Sequence, residues 1–474
     1  MKQILKQAVA GFDEKQDVLV TVEPVASGIE VELTSKVYAQ YGKHMEELIR
    51  RTVADAGYDG VKVIAQDQAA WDYTIKARVL AALERAARND ENENTGVADA
   101  AQSTAVVSAA NANTAAGVIN SDNELTAKAK ERLSRSMMFV PGNTPKMLNS
   151  ADIYGADSLM FDIEDSIYIN EKDSARLLVA EMLKHMKFRS ETVVRINHPT
   201  QTPYGLDDLD VIVPAKPNLI RLPKTEDVSE VELVARKIEA VEKEQGWPAG
   251  TINIIVAIES VKGLYNVREI CHAPRVVGIA LGAEDYRADL RTGKSKPAVE
   301  LTLARQTILL AAREAGIRCI DTVFSDVKDT EGFLEEVQYI KALGFDGKSC
   351  IHPSQIGLVH SVFTPSAADI EYSVRVLNAY DDSIKHNKGV LAVDGKMIDR
   401  PIVIRAERTV DKARAAGIRV VLQRDEVKTA QSGVEESQNE AKDKQTDVEG
   451  TQSEGKDKQN EVKGAMEGGN GHAE

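Results

Sequence analysis

Residues 252–286, INIIVAIESVKGLYNVREICHAPRVVGIALGAEDY, decide the fold. Two apolar, β-branched runs within them, 252–258 and 276–281, end in carboxylates, among them Glu259 and Asp285. Runs this apolar are typical of strands buried on both faces. The amphipathic segment between the runs predicts a short helix. A strand, a helix and a second strand, with acids at both carboxyl ends, form the repeating unit of a parallel α/β protein.

Similar strand-like runs recur between residues 137 and 351, and amphipathic segments separate most of them. The runs lie at 137–140, 158–162, 192–196, 219–222, 252–258, 276–281, 318–324 and 347–351. The helical segments include 173–186, 228–244, 264–272, 300–315 and 330–343. This alternation predicts an α/β fold, a (β/α)8 TIM barrel, with its site at the carboxyl ends of the strands. The alternative is a doubly wound open sheet, but no GxGxxG opens a helix after an early strand.

Charge and cysteine content narrow the functional classes. The net charge of −15 argues against a nucleic-acid partner, because phosphate backbones are bound by excess Lys and Arg. Cys271, Cys319 and Cys350 lack CxxC spacing, so neither a disulfide framework nor a thiolate zinc site is predicted. No apolar run approaches the roughly 20 residues of a membrane span. We therefore expect a cytoplasmic protein with no membrane partner.

Four segments are predicted. Residues 1–88 read as a small α+β domain, in which strands near 17–24 and 28–35 form a hairpin-like pair. Residues 89–130, rich in Asn, Ala, Ser and Thr, are predicted to be a flexible linker. The barrel with a C-terminal arm would occupy 131–428. The remainder, 429–474, is predicted to be a disordered acidic tail without visible chemistry.

Polar residues follow nearly every predicted barrel strand and should converge on one edge. They are Glu164, Asp165, Arg195, Asn197, Lys224, Glu259, Glu284, Asp285, Asp321, Asp326, Lys348 and His352. Glu259 and Asp285 follow successive strands and could share a hard cation, whereas helix capping or surface ion pairs are the alternative. The fork of Arg195 suits a substrate carboxylate, and an internal ion pair with an acid such as Glu164 is the alternative.

The motifs together resemble the citrate lyase β subunit, a citryl lyase of the HpcH/HpaI aldolase-like superfamily. They run in order from about residue 134 to 417: SRSMMFVPGN, SLMFDIEDS, VVRIN, IRLPKT, IVAIES, GIALGAEDY, DTVFSD, LGFDGKSCIHPSQI and DGKMIDRP. The resemblance implies a Mg2+-assisted retro-Claisen cleavage of a citryl thioester to oxaloacetate and an acetyl thioester. Lyases for malyl or citramalyl thioesters share several of these elements. A lyase for such free CoA thioesters is therefore an alternative function.

The resemblance also implies roles for residues. Glu259 and Asp285 would hold Mg2+, and Asp399 would act as the acid/base from the C-terminal segment of a neighbouring subunit, with Glu259 and Arg195 completing the catalytic set. The predicted substrate contacts are Arg195, Glu259, Arg135 and Lys224. For Asp399 the alternative is a turn residue in a hairpin of the same chain. The trans-acting role implies a homo-oligomer, for which a trimer is one option, and the family implies a separate α (transferase) subunit as a partner.

The first domain resembles the citrate lyase acyl carrier protein, the γ subunit, in AVAGFDEKQDVLV, in VYAQYGKHMEELI and in IKARVLAALERA. In that family a serine carries phosphoribosyl-dephospho-CoA, but Lys15 stands at its position here. A lysine cannot form the same phosphodiester, and the nearest comparable hydroxyl is Ser27, in the following turn. The prosthetic group is therefore doubtful. A non-catalytic assembly subunit, docking partners through this domain and the acidic tail, is a third alternative, against which the complete set of rim residues argues.

Overall fold

The computed structural model describes residues 1–88, 123–296, 298–386 and 391–425. It contains two compact units, Met1–Phe363 and Thr364–Glu474. The predicted tail 429–474 and most of the predicted linker 89–130 lie outside the described residues. The last part of that linker forms a helix, Glu124–Glu131. Thr126 in this helix is buried, and its Oγ1 donates to Asn253 Oδ1 at 2.9 Å.

The N-terminal domain is a four-stranded sheet covered by two helices. Its elements are β1 (Ala8–Ala10), β2 (Val18–Pro24), β3 (Ile29–Ser35), α1 (Tyr38–Asp55), β4 (Val61–Asp67) and α2 (Asp72–Ala87). The strand order is β1-β2-β4-β3, so the hairpin-like pairing predicted for β2 and β3 is wrong. Strand β4 lies between them, antiparallel to β2 and parallel to β3. Because β3 and β4 are parallel, α1 serves as the crossover that such a pair requires.

The predicted eight-stranded barrel is confirmed. Its strands are β5 (Ser136–Pro141), β6 (Ser158–Asp162), β7 (Glu191–Arg195), β8 (Leu219–Leu222), β9 (Asn253–Ile258), β10 (Val276–Leu281), β11 (Arg318–Asp321) and β12 (Gly347–Cys350). Each pairs in parallel with the next, and β12 pairs with β5 to close the ring. Most strand residues are buried because side chains pack inward in the barrel and outward against helices.

Helices surround this barrel. In chain order after α3 (Glu124–Glu131) they are α4 (Pro145–Ser150), α5 (Lys172–His185), α6 (Gly205–Ile212), α7 (Val228–Glu244), α8 (Val261–Tyr265), α9 (Val267–Cys271), α10 (Ala283–Asp289), α11 (Thr302–Ala315), α12 (Thr330–Leu343) and α13 (Pro353–Phe363). The single helix predicted over 264–272 is two short helices, with Asn266 at the break. None of the helices in the described ranges is long and apolar enough to cross a membrane.

The N-terminal domain packs on the barrel through α2 and α5. Arg78 on α2 is fully buried and donates from Nε and Nη2 to the two carboxylate oxygens of Asp17, at 3.0 and 2.7 Å. Its Nη1 donates to Ser174 Oγ at 2.6 Å, across to α5. Arg85, also on α2, bonds both oxygens of Asp173 at 3.1 and 2.7 Å. Arg78 therefore pairs with an acid of its own domain, and Arg85 pairs with an acid of the barrel part.

The unit that begins at Thr364 contains two helices joined by a small hairpin. Its elements are α14 (Ala367–Lys385), β13 (Ala392–Val393), β14 (Lys396–Met397) and α15 (Arg400–Ala415). Apolar residues from both helices, including Val376, Leu377 and Val403, form its core. Asp394 and Gly395 both have positive φ, as a two-residue type I′ hairpin requires.

Candidate active site

A cavity of about 450 Å³ opens at the carboxyl ends of the barrel strands. The charged residues that line it are Asp162, Asp165, Arg195, Arg221, Glu259, Glu284 and Asp285. Apolar side chains, including Phe139 and Leu281, form much of the remaining wall. A concave, largely apolar cavity into which polar groups converge is typical of a small-molecule binding site.

Alternation along the strands places four of these charges inside the barrel. The apolar cluster in the barrel interior contains Met160, Val193, Leu219 and Ile255, one from each of four successive strands. Side chains two or four positions further along a strand point the same way. They are Asp162, Arg195, Arg221 and Glu259. The same strands that fill the barrel therefore carry its charged groups to one end.

Glu259 is buried without a matching donor. Its side chain has 3% exposure, and Oε2 has no hydrogen-bond partner. Burial raises the pKa of Glu259 to about 7, against the lowering influence of Arg221 and Arg195. A buried carboxylate oxygen without a donor costs free energy. Helix capping and a surface ion pair, the alternatives for this acid, do not describe Glu259.

Asp285 lies in the first turn of α10 and lines the same cavity. Its neighbour Glu284 pairs with Arg287, whose Nη1 lies 2.8 Å from Oε1. Glu259 and Asp285 both line the cavity, and no cluster of three or more metal-ligating side chains occurs within the described ranges. Two carboxylates in a cavity open to water and substrate fit Mg2+, which retains several non-protein ligands.

Arg195 is held by internal ion pairs, with Glu164 as anticipated and, at shorter distances, with Asp162. Its Nε and Nη2 each lie 2.7 Å from an oxygen of Asp162. Glu164 is a secondary partner, at 3.2 Å from Nη1. Burial acts to raise the pKa of Asp162, but Arg195 outweighs it and holds that pKa below its usual value. The guanidinium is thus fixed in place while it lines the cavity.

Lys224 does not line the cavity, but its Nζ lies 3.5 Å from Asp165, which does. Lys224 has a positive φ of 46°, and its Nζ is 2.6 Å from Glu164 Oε1. Burial acts to lower the pKa of this lysine, but the bond to Glu164 raises it overall. Lys224 therefore remains a cation paired with a rim acid.

The structure does not bring Arg135 to the cavity. Arg135 directly precedes β5, at the amino-terminal end of the barrel. Its Nε and Nη2 bond the two oxygens of Asp157 at 2.9 and 2.7 Å. Because the carboxyl ends of the strands form the opposite edge, we withdraw Arg135 from the substrate contacts.

Several other predicted rim residues serve the scaffold. Lys348 is fully buried, with its Nζ 2.8 Å from Asp321 and 2.6 Å from Glu336. Arg305 completes this network by bonding both oxygens of Asp321. His352 Nδ1 lies 2.8 Å from Ser354 Oγ at the start of α13, which matches the structural interpretation of this histidine.

Three further residues discussed with the resemblance have the following local surroundings. Asp399 caps α15, where its side chain accepts a hydrogen bond from Ile402 N at 3.2 Å. It follows the same-chain hairpin rather than standing in its turn. Lys15 is exposed, in the loop before β2, and Ser27 is exposed before β3.

Sequence reasoning did not single out Arg221 or Asp162. Both belong to quoted motifs, IRLPKT and SLMFDIEDS, but were treated as strand residues. The signal that finds them is spacing: Arg221 lies two residues beyond the interior Leu219, as Arg195 lies two beyond Val193.

Two family models match this chain. Residues 135–353 match the HpcH/HpaI aldolase/citrate lyase family, and residues 5–86 match the malonate decarboxylase delta subunit (MdcD) family of acyl carrier proteins. The first match covers all eight barrel strands, and the second covers the N-terminal sheet, α1 and all but the last residue of α2.

Curated relatives resemble the barrel part. Citrate lyase subunit beta from Haemophilus influenzae is 46% identical over 290 residues, covering 61% of this chain and 99% of that protein. The (3S)-malyl-CoA thioesterase of Cereibacter sphaeroides is 32% identical over 282 residues, covering 59% and 95%. A solved structure of CitE from Mycobacterium tuberculosis, in complex with magnesium, acetoacetate and coenzyme A, is 29% identical with a TM-score of 0.50, covering 60% and 99%.

These matches confirm the resemblance inferred from the motifs, and with it the class of carbon–carbon lyase. The identity to the Haemophilus influenzae protein extends over 99% of its length. The closed parallel barrel and the charged cavity at its carboxyl edge agree with that assignment. The chain therefore belongs to the HpcH/HpaI aldolase/citrate lyase family.

Proposed function

We propose that the chain cleaves a citryl thioester to oxaloacetate and an acetyl thioester by a retro-Claisen reaction. The observation that carries this proposal is the unpaired Oε2 of Glu259, buried in a cavity that also contains Arg195 and Arg221. The 46% identity to a protein named citrate lyase subunit beta supports citryl as the acyl group.

Glu259 and Asp285 would hold Mg2+, which would polarise the substrate's hydroxyl and carbonyl oxygens. The structure of a relative in complex with magnesium supports this choice of metal. Arg195, fixed by Asp162, would orient a carboxylate of the half that becomes oxaloacetate. The apolar wall containing Phe139 and Leu281 limits water around these charges.

The reaction moves two protons. The hydroxyl proton passes to solvent water as its oxygen becomes the keto oxygen, the bond between the carbinol carbon and the thioester methylene breaks, and its electron pair passes to that methylene. The methylene must then gain a proton to become the methyl of the acetyl thioester. We propose that Asp399 of a second copy supplies it, which makes a homo-oligomer necessary.

The role of Asp399 is tested by Asp399→Asn. We expect the variant to keep Mg2+ binding and folding, because asparagine can still cap α15, and to lose turnover by roughly 100-fold or more. Steady-state kinetics with a magnesium titration measures both properties. Turnover near that of the unaltered protein would remove Asp399 from the mechanism.

The carrier-like domain bears on the source of the thioester. We propose an unmodified domain at 1–88, because Lys15 cannot bear the phosphodiester-linked group, and a separate α (transferase) subunit as the partner for citrate cleavage. The boundaries 89–130, 131–428 and 429–474 remain predictions, as does a cytoplasmic location. Intact mass measurement of the purified chain checks modification, because attached phosphoribosyl-dephospho-CoA adds its mass.

A second candidate is a lyase for a free CoA thioester such as malyl-CoA or citramalyl-CoA. The 32% identity to a (3S)-malyl-CoA thioesterase favours keeping it. It differs from the first candidate only in the substituent on the carbinol carbon, since the metal and Arg195 would serve all three thioesters.

Product analysis tests the proposal. The full chain is incubated with Mg2+ and citryl-CoA, citramalyl-CoA or malyl-CoA, and oxaloacetate, pyruvate and glyoxylate are quantified separately. We expect oxaloacetate from citryl-CoA as the main product, with loss of activity in EDTA. Pyruvate or glyoxylate release without oxaloacetate would establish the second candidate. If none of the three thioesters is cleaved, the non-catalytic assembly role would be favoured.

A further inference from the structure

Arg221 is a buried cation without a carboxylate partner. It is the third residue of β8, has 2% exposure, and lines the cavity. Its Nε has no hydrogen-bond partner, and its Nη1 contacts only a weak acceptor, Met137 Sδ, at 3.8 Å. The guanidinium also lies over the Phe139 ring, 5.6 Å from the centroid. Among the described residues no carboxylate forms an ion pair with it.

Such an arrangement is costly in the free protein. Transfer of a guanidinium from water into an apolar interior is unfavourable unless the charge is paired. Burial accordingly lowers the pKa of Arg221 to about 10, although the negative charge of Glu259 opposes this shift. The missing partner is most simply an anion that arrives with the ligand, because the guanidinium borders the cavity and its planar fork matches a carboxylate.

Arg195 is not free to pair with a second carboxylate of the substrate. Its Nε and Nη2 are both occupied by Asp162, and Glu164 lies near Nη1. Glu259 is needed for the metal under the proposed function. Arg221 therefore remains as a second cation for a second carboxylate, on the strand between those of Arg195 and Glu259.

The three candidate thioesters differ at one position. The carbinol carbon bears a carboxymethyl group in a citryl thioester, a methyl group in a citramalyl thioester and hydrogen in a malyl thioester. Only the citryl group brings a second carboxylate to the oxo-acid half. We propose that Arg221 is the specificity-determining residue of this site, which selects a citryl thioester by pairing with its carboxymethyl carboxylate. This inference rests on the proposed retro-Claisen function.

Arg221→Met tests it, because methionine fills similar volume without charge. We expect kcat/KM for citryl-CoA to fall by roughly 100-fold or more, while kcat/KM for citramalyl-CoA changes by only a few-fold. Arg221→Lys keeps the charge without the fork and should recover part of the preference. Arg268→Met, at an exposed arginine on α9, is the matched control and should leave kcat/KM for both thioesters unchanged.

A binding measurement separates this inference from the proposed function. With Mg2+ present, calorimetry should show that the unaltered protein binds oxaloacetate more tightly than pyruvate, and that Arg221→Met removes the difference. Equal losses for citryl-CoA and citramalyl-CoA, with the oxaloacetate preference intact, would overturn the inference and leave the function standing. If the unaltered protein releases no oxaloacetate, the function fails and the binding comparison alone decides the role of Arg221.

Discussion

Arg78, between the N-terminal domain and the barrel, and Arg221, in the barrel cavity, are both buried, but their surroundings are opposite. Arg78 bonds both oxygens of Asp17, Ser174 Oγ and the carbonyl oxygen of Asn143. Arg221 contacts a methionine sulfur and leaves Nε without a partner. In Arg78, Nε, Nη1 and Nη2 all donate to acceptors of the folded chain. In Arg221, Nε remains available to a ligand.

The same contrast extends to the carboxylates. At the junction, Asp17 and Asp173 each accept hydrogen bonds from an arginine of α2. In the cavity, Glu259 has an oxygen without any donor. The free energy of unfolding should respond differently in the two regions. Removal of one partner of a buried ion pair destabilises the protein, whereas removal of an unpaired buried charge relieves a desolvation cost. Substitutions in the two regions should therefore have opposite consequences for stability.

The largest effect should come from Glu259→Gln. Glutamine preserves the shape of the side chain but removes the charge that would hold Mg2+, so turnover should fall by about 1000-fold or more. Thermal stability without metal should be unchanged or slightly higher. Kinetics and thermal unfolding with and without Mg2+ measure both properties.

For Glu259→Gln the matched control is Glu314→Gln, at the exposed acid that pairs with Arg268. It should retain both turnover and the Mg2+-dependent rise in Tm. A Glu259→Gln protein that still turns over, or that is destabilised as strongly as a junction variant, would break the contrast between the two regions.

Much of the barrel was predictable because its strands are local, apolar and buried on both faces. The runs at 158–162, 219–222 and 276–281 match the observed strands at both ends. The hairpin error has a non-local cause, since β4 follows α1 in sequence yet inserts between β2 and β3. Strand pairing of this kind is not encoded by the turn that separates two consecutive strands.

The site was predicted less completely than the barrel. Glu259, Asp285 and Arg195 were identified because polar residues end apolar runs, and all three line the cavity. Arg221 was missed because a strand buried on both faces shows no alternation that distinguishes the interior side. The pairing of Arg195 with Asp162 joins residues on different strands, so no spacing within one motif predicts it.

Arg78→Met should have a smaller effect on the reaction and a clear effect on stability. It leaves Asp17, with 2% exposure, without its arginine, at a cost of about 3–5 kcal/mol. Tm should fall by roughly 10 °C, while kcat/KM of the folded fraction stays within about two-fold, since the cavity is untouched.

The control is Arg88→Met, whose arginine is 52% exposed and should shift Tm little. Stability near that of the unaltered protein would show that the buried pair holds the N-terminal domain no more firmly than a surface contact. If Arg221→Met lowered Tm as much as Arg78→Met, the unpaired arginine would have a structural role, and the proposed distinction between paired and unpaired buried charge would fail.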